Sequence, residues 1–222
     1  RELIDHCSER GFDVLAITLH NKYLVDGDLE RYAEDKGILL LRGVELRLEG
    51  KDVLVYNIKK EEIKGIKRIE DLYKLKRKET LIIAPQPYFI KTYCLKDDLI
   101  KHIDLFDAIE YSHFYIDIIN QNKKSVRIAK KFRKPIVGTS DAHFLFQIDK
   151  TFTLLDCKKN KLSVIKAIKE GKVQVKTWPL KLREFLKIIL WSLKNSIRSK
   201  KSNKQFSAKQ SHPAIAPKES FK

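Results

Sequence analysis

The stretch KPIVGTSDAHF, Lys134–Phe144, decides how the rest of the chain is read. Its first half is a short apolar, β-branched run bounded by Pro135 and Gly138, the pattern of a buried strand. Its second half delivers Asp141 and His143. In an extended segment alternate side chains point the same way, so an Asp-x-His step aims a carboxylate and an imidazole at one point. Asp141 after Gly-Thr-Ser could equally serve as a plain turn or cap residue, so the reading depends on what the other strands deliver.

Working outward, short apolar runs alternate with helical patterns. Strands are expected at Val14–Thr18, Ile38–Leu41, Val53–Tyr56, Leu81–Ala84, Ala108–Tyr111, Pro135–Gly138 and Phe152–Leu155. Helices are expected at Glu2–Arg10, Asp28–Asp35, Glu61–Lys78, Lys96–His102, Tyr115–Phe132 and Leu162–Glu170, with Gly11, Gly37 and Gly171 following three of them as C-caps. This alternation predicts an α/β protein with a parallel sheet or barrel and helices outside it.

In such folds functional side chains sit where strands end and loops begin. VLAITLHN delivers His20, ILLLRGVEL delivers Glu45, LIIAPQPYF delivers Gln86, and AIEYSHF delivers Glu110 and His113. A single histidine near a strand end is ordinarily a hydrogen-bonded neutral residue, and Glu45 alone could be a surface carboxylate. Their joint appearance at consecutive strand ends points to metal coordination. Imidazole with carboxylate suits Zn²⁺, Mn²⁺ or Fe²⁺, and a bridging carboxylate can hold two ions roughly 3.5–4 Å apart.

Five motifs in this order resemble the PHP (polymerase and histidinol phosphatase) domain over roughly residues 1–175: GFDVLAITLHN, GVE at Gly43–Glu45, APQPYF, AIEYSH and GTSDAH. The resemblance implies a distorted (βα)7 barrel, here without its first strand, a cluster of two or three divalent ions (Mn, Zn, Fe or Mg) and phosphoesterase activity. It implies His20, Glu45, His113, Asp141 and His143 as metal ligands, with Glu45 bridging and Asp141 or His143 holding the ion that activates water. Gln86 and Arg42 would then reach the substrate phosphate; a solvated surface arginine is the plainer reading of Arg42. The expected ligand is a phosphorylated small molecule or nucleotide. The alternative is a non-catalytic scaffold that binds a phosphorylated ligand or partner.

The chain also departs from the motifs. Leu19 stands where the family pattern has the Asp of Thr-Asp-His, and Gln86 stands where it has a histidine before proline. An amide oxygen is a weak ligand for transition metals, though it can bind a hard ion or hydrogen-bond a phosphate. The chain contains no methionine and opens on a helix, so an upstream strand ending in His-x-His is expected. Hydrolysis by this chain alone is expected to be weak or absent.

With 43% hydrophobic and 34% charged residues the 222-residue chain is long enough for one large core. Cys7, Cys94 and Cys157 form no CxxC pair, which reads as reduced thiols in a cytoplasmic protein. The formal charge is +17, and residues 181–222 hold eleven Lys/Arg against Glu184 and Glu219, a net +9. The expected organisation is a PHP-like domain over 1–180, an amphipathic helix over 181–198 and a disordered basic tail over 199–222. Three readings of the helix stay open: docking on the barrel, peripheral attachment to an anionic membrane through 181–222, and nucleic-acid contact. Few aromatics interleave the tail's cations, so nucleic acid ranks last.

Overall fold

The computed structural model describes residues 1–194, and the chain divides into two compact units, Arg1–Leu180 and Lys181–Lys222. In the first unit the helices are α1 (Glu2–Glu9), α2 (Gly27–Asp35), α3 (Lys60–Ile63), α4 (Asp97–Lys101), α5 (Asn122–Lys131) and α6 (Lys161–Lys169). The strands are β1 (Val14–Ile17), β2 (Leu39–Leu48), β3 (Lys51–Tyr56), β4 (Leu81–Ala84), β5 (Ala108–Ser112), β6 (Ile136–Thr139), β7 (Thr151–Leu155) and β8 (Val173–Thr177).

β1 to β6 form one curled sheet in sequence order, and β7 with β8 form a separate antiparallel pair. The β1–β2, β4–β5 and β5–β6 pairings are parallel; β2–β3 and β3–β4 are antiparallel. This corrects the expected (βα)7 barrel. β2 runs on for ten residues and folds back on β3 through Glu49 and Gly50, both at positive φ, so no helix separates these strands. An antiparallel hairpin replaces one βα unit, β8 replaces another, and the result is a half-barrel with an open side.

The sheet's alternation explains its continuous apolar runs. Val53, Val55, Ile82, Ala84 and Ile109 face outward into the larger core, against Leu95, Leu99, Leu105 and Phe106. Leu54, Tyr56, Leu81, Ile83 and Ala108 face the concave side, where Val164, Ile165 and Ile168 of α6 cover them. Each central residue is therefore buried whichever way it points.

Two expected helices are shorter than their patterns. Over Glu61–Lys78 the chain forms α3, then a 3₁₀ segment Ile69–Leu75, with Gly65 between them. Tyr115–Phe132 keeps only α5 as helix, because Asn120 spends its side chain on a turn, accepting from the Asn122 N–H and donating to the Tyr111 hydroxyl. In the second unit residues 182–194 are helical. The expected continuation of that helix to 198, and the tail over 199–222, lie outside the described residues. No helix among the described residues is long and apolar enough to cross a membrane.

Candidate functional site

The concave side of the sheet encloses a cavity of about 470 Å³, and His20, Glu45, Gln86, Glu110, Asp141 and His143 all line it. Glu45 gets there by strand parity. In β2, Leu41, Gly43 and Glu45 take the concave side, while Arg42 and Val44 take the other. His20 follows from pairing, since a parallel bridge continues β1 alongside Glu45 and the Asn21 N–H donates to the Glu45 carbonyl at 2.7 Å. The His20 Nδ1 then stands 3.3 Å from the Glu45 Oε2.

Asp52 joins them through hairpin register. It pairs across from Arg47, and its concave-side position brings a ligand atom within 4.8 Å of atoms from His20 and Glu45. Asp52 is already engaged, however: Arg47 donates to both its oxygens at 2.7 Å, with the guanidinium also over the Tyr93 ring. A bidentate pair of this kind holds its carboxylate strongly.

The site is short of positive charge. Burial raises Glu45 to about 9, and the charges of Asp141, Asp52 and Glu110 add to the rise while Arg47 opposes it. Burial and Asp141 push Glu110 up to about 7, although the Thr139 hydroxyl and the Gln86 N–H, at 2.6 Å, donate to its two oxygens. Asp141 is also raised: the part of it turned away from water is desolvated and the Asp52 charge adds to the rise, while the His143 and His20 rings pull the other way and 40% of its side-chain surface reaches solvent. Carboxyls crowded in this way favour either protons or a cation.

Asp141 sits at φ +40, a turn conformation uncommon for a non-glycine residue. Its carbonyl accepts from the His143 Nδ1 at 2.9 Å. A carbonyl can only accept, so Nδ1 is the donor in this contact, the orientation of a metal-ligating imidazole held by a backbone carbonyl.

The other sequence-expected residues are placed differently. His113 is buried, and its Nε2 accepts the Gln147 side-chain N–H at 2.7 Å, an orientation fixed because the Gln147 oxygen accepts from the His143 and Phe144 N–H groups. Burial and His143 lower His113 to about 3, so it is neutral. The Arg42 guanidinium donates to both oxygens of Glu30 on α2, on the opposite face of β2 from the cavity. Gln86 is half-buried at the rim, at φ +31, with its N–H on Glu110. Sequence reasoning left out Asp52, whose position depends on hairpin register, and saw Glu110 at a strand end without giving it a role.

A second, larger groove of about 770 Å³ lies between the start of β1 and β7, lined by Phe12, Phe152, Cys157 and Trp178, and contains none of these residues. Chemistry concentrates in the smaller cavity. Among the described residues, His20, Glu45 and Asp52 are the group whose ligand atoms all lie within 4.8 Å of one another; Asp141 and His143 line the same cavity without belonging to that group.

No curated protein matches the chain. Among solved structures it is similar to PsfC from Pseudomonas syringae PB-5123, with 17% identity, 87% of each chain covered and a TM-score of 0.59, a likeness of fold. The PHP-associated family model matches residues 120–173, the segment from the start of α5 to the start of β8 that carries Asp141 and His143. That match relates the chain to the PHP family.

Proposed function

We propose that this chain is a metal-dependent phosphoesterase domain of PHP type, acting on a phosphorylated small molecule or nucleotide. The observation that carries the reading is the convergence of His20 and Glu45, 3.3 Å apart, on the cavity that Asp141 and His143 also line. On this reading His20 and Glu45 would hold a divalent cation, joined by Asp141 and His143 turning in from the same cavity wall, and the ion supplies Lewis acidity toward a phosphoryl oxygen when bound.

The chain's own residues have separate tasks. The Gln86 side-chain amide, at the rim, hydrogen-bonds a phosphate oxygen and orients the ester. Glu110, at about 7, keeps a proton available deep in the cavity near neutral pH. The apolar floor of Leu54, Leu81 and Ile83 limits water on the side away from the rim.

Two observations favour a second reading, a non-catalytic scaffold for a phosphorylated ligand: Asp52 is clamped by Arg47, and a neutral amide occupies position 86. Metal content and hydrolysis of p-nitrophenyl phosphate with Mn²⁺, measured together, separate the two. The enzyme reading expects bound metal and a turnover that Glu45→Gln lowers by roughly a hundredfold or more. Metal-independent turnover, or turnover unchanged in Glu45→Gln, would exclude it. Bound metal without turnover selects the scaffold. Gln86→His, which the positive φ accommodates because histidine is enriched there, is expected to tighten Mn²⁺ binding by roughly tenfold.

A further inference from the structure

Residues 182–194 form an amphipathic helix whose apolar face meets water. At 100° per residue, Leu182, Leu186, Leu190 and Leu193 fall within an arc of roughly 80°, and they are 62%, 48%, 66% and 55% exposed. Burying such side chains is favourable, so four left in water on one short face mark a surface meant to be covered.

The charges beside that face restrict what covers it. Arg183, Lys187 and Lys194 are exposed in the adjoining arc, and Glu184 is the helix's one acidic residue. Residues 181–222 together carry eleven Lys/Arg against two acidic residues. A nucleic acid would satisfy the cations and leave the leucines in water. A second copy would cover the leucines by bringing two strongly basic segments together, against their mutual repulsion. A neutral bilayer would cover the leucines and gain nothing from the cations. At 1.5 Å per residue the described part of the helix is roughly 20 Å long, shorter than a bilayer's hydrocarbon core.

We propose that this helix lies in the surface of an anionic membrane, with Leu182, Leu186, Leu190 and Leu193 in the acyl boundary and Arg183, Lys187 and Lys194 at the headgroups. An apolar arc beside a basic one is the arrangement that binds such a surface reversibly, and each cation near anionic lipid adds to the attraction. The role is independent of the proposed catalysis, since none of these residues lines the cavity.

Co-sedimentation of the full chain with vesicles tests it. One set is phosphatidylcholine alone; the other contains about 30% phosphatidylserine. The expected result is at least tenfold stronger partition onto the anionic vesicles, lost by tenfold or more in Leu186→Glu/Leu190→Glu. Arg183→Gln/Lys194→Gln keeps the apolar arc and is expected to lower partition several-fold, which covers the case in which the leucine variant fails to fold. Equal partition of the leucine variant and the parent would overturn the proposal by assigning binding to charge alone. Equal partition onto both vesicle sets, or onto neither, would overturn it too. A dimer in light scattering that the leucine variant dissociates would assign the face to a second copy. Retention on a duplex oligonucleotide without vesicle binding would assign the segment to nucleic acid.

Discussion

Glu110 is buried on β5 with two donors aimed at it, the Thr139 hydroxyl and the Gln86 N–H. Those hydrogen bonds favour the carboxylate, yet burial and the Asp141 charge outweigh them and place it at about 7, above its ordinary 4.5. For a carboxyl raised on folding, the protonated form contributes stability that is complete below about pH 4.5 and disappears as pH rises through 7. The shift corresponds to on the order of 3 kcal/mol. Gln at this position stays neutral and accepts the Gln86 N–H, while the Thr139 hydroxyl can turn to accept from its amide. Urea unfolding of Glu110→Gln between pH 5 and pH 8 should therefore show a pH slope smaller by about one proton and a gain of about 2 kcal/mol at pH 8. An unchanged slope would mean that Glu110 is ionised in the folded protein throughout.

The element that turns a sheet into a cavity is the antiparallel β7–β8 pair, joined through α6, and it packs on β6 at a glycine. A Cβ at Gly138 would lie 2.8 Å from Val175 Cγ1, 2.9 Å from Thr151 Cγ2 and 2.9 Å from the Phe152 carbonyl oxygen. The methyl groups can give a little; the backbone oxygen cannot. Gly138→Ala is expected to cost about 1–3 kcal/mol, read as a lowered melting temperature, and an unchanged melt would show that the β7–β8 pair rides more loosely than these distances indicate. This strand pair also shows what the sequence hides. β1, β4, β5 and β6 were legible as apolar runs because both faces of those strands are covered. β8 escaped notice because its Gln174 and Lys176 alternate with half-buried valines, a half-solvated edge pattern in a lysine-rich stretch. The β2–β3 hairpin was read as two separate strands, although Glu49-Gly50 is a turn pair, because Arg42, Glu45 and Arg47 break the apolar run. His20, Asp141 and His143 could be found as strand-end residues; Glu45, read as one, lies inside the ten-residue β2, and Asp52 was not found at all. Its place beside Glu45 exists only once the register Arg47↔Asp52 is known.

Across the Arg1–Leu180 unit, burial is uneven in a way that links fold to site. Every residue of β4 is buried, and every residue of β1 is only half-buried. β1 pairs with β2 along one edge; on the other it has no strand partner among the described residues, and the Phe12–Phe152 ring contact at 5.3 Å reaches across toward β7 by side chains alone. An open sheet edge with partial cover opens at lower free energy than a central strand. Hydrogen exchange of β1 amides is therefore expected to be at least tenfold faster than that of β4, a difference of roughly 1.4 kcal/mol or more in opening free energy. The loose strand is also the one that leads to His20, while Glu45, whose Oε2 lies 3.3 Å from the His20 Nδ1, sits on β2. On the proposed function, a bound cation would tie the end of β1 to β2, so Mn²⁺ should slow exchange over residues 14–21 and leave β4 unchanged. Protection of β1 equal to that of β4 without metal would refute the open edge itself. Fast β1 exchange that Mn²⁺ does not slow would keep the open edge and remove His20 from the ligand set.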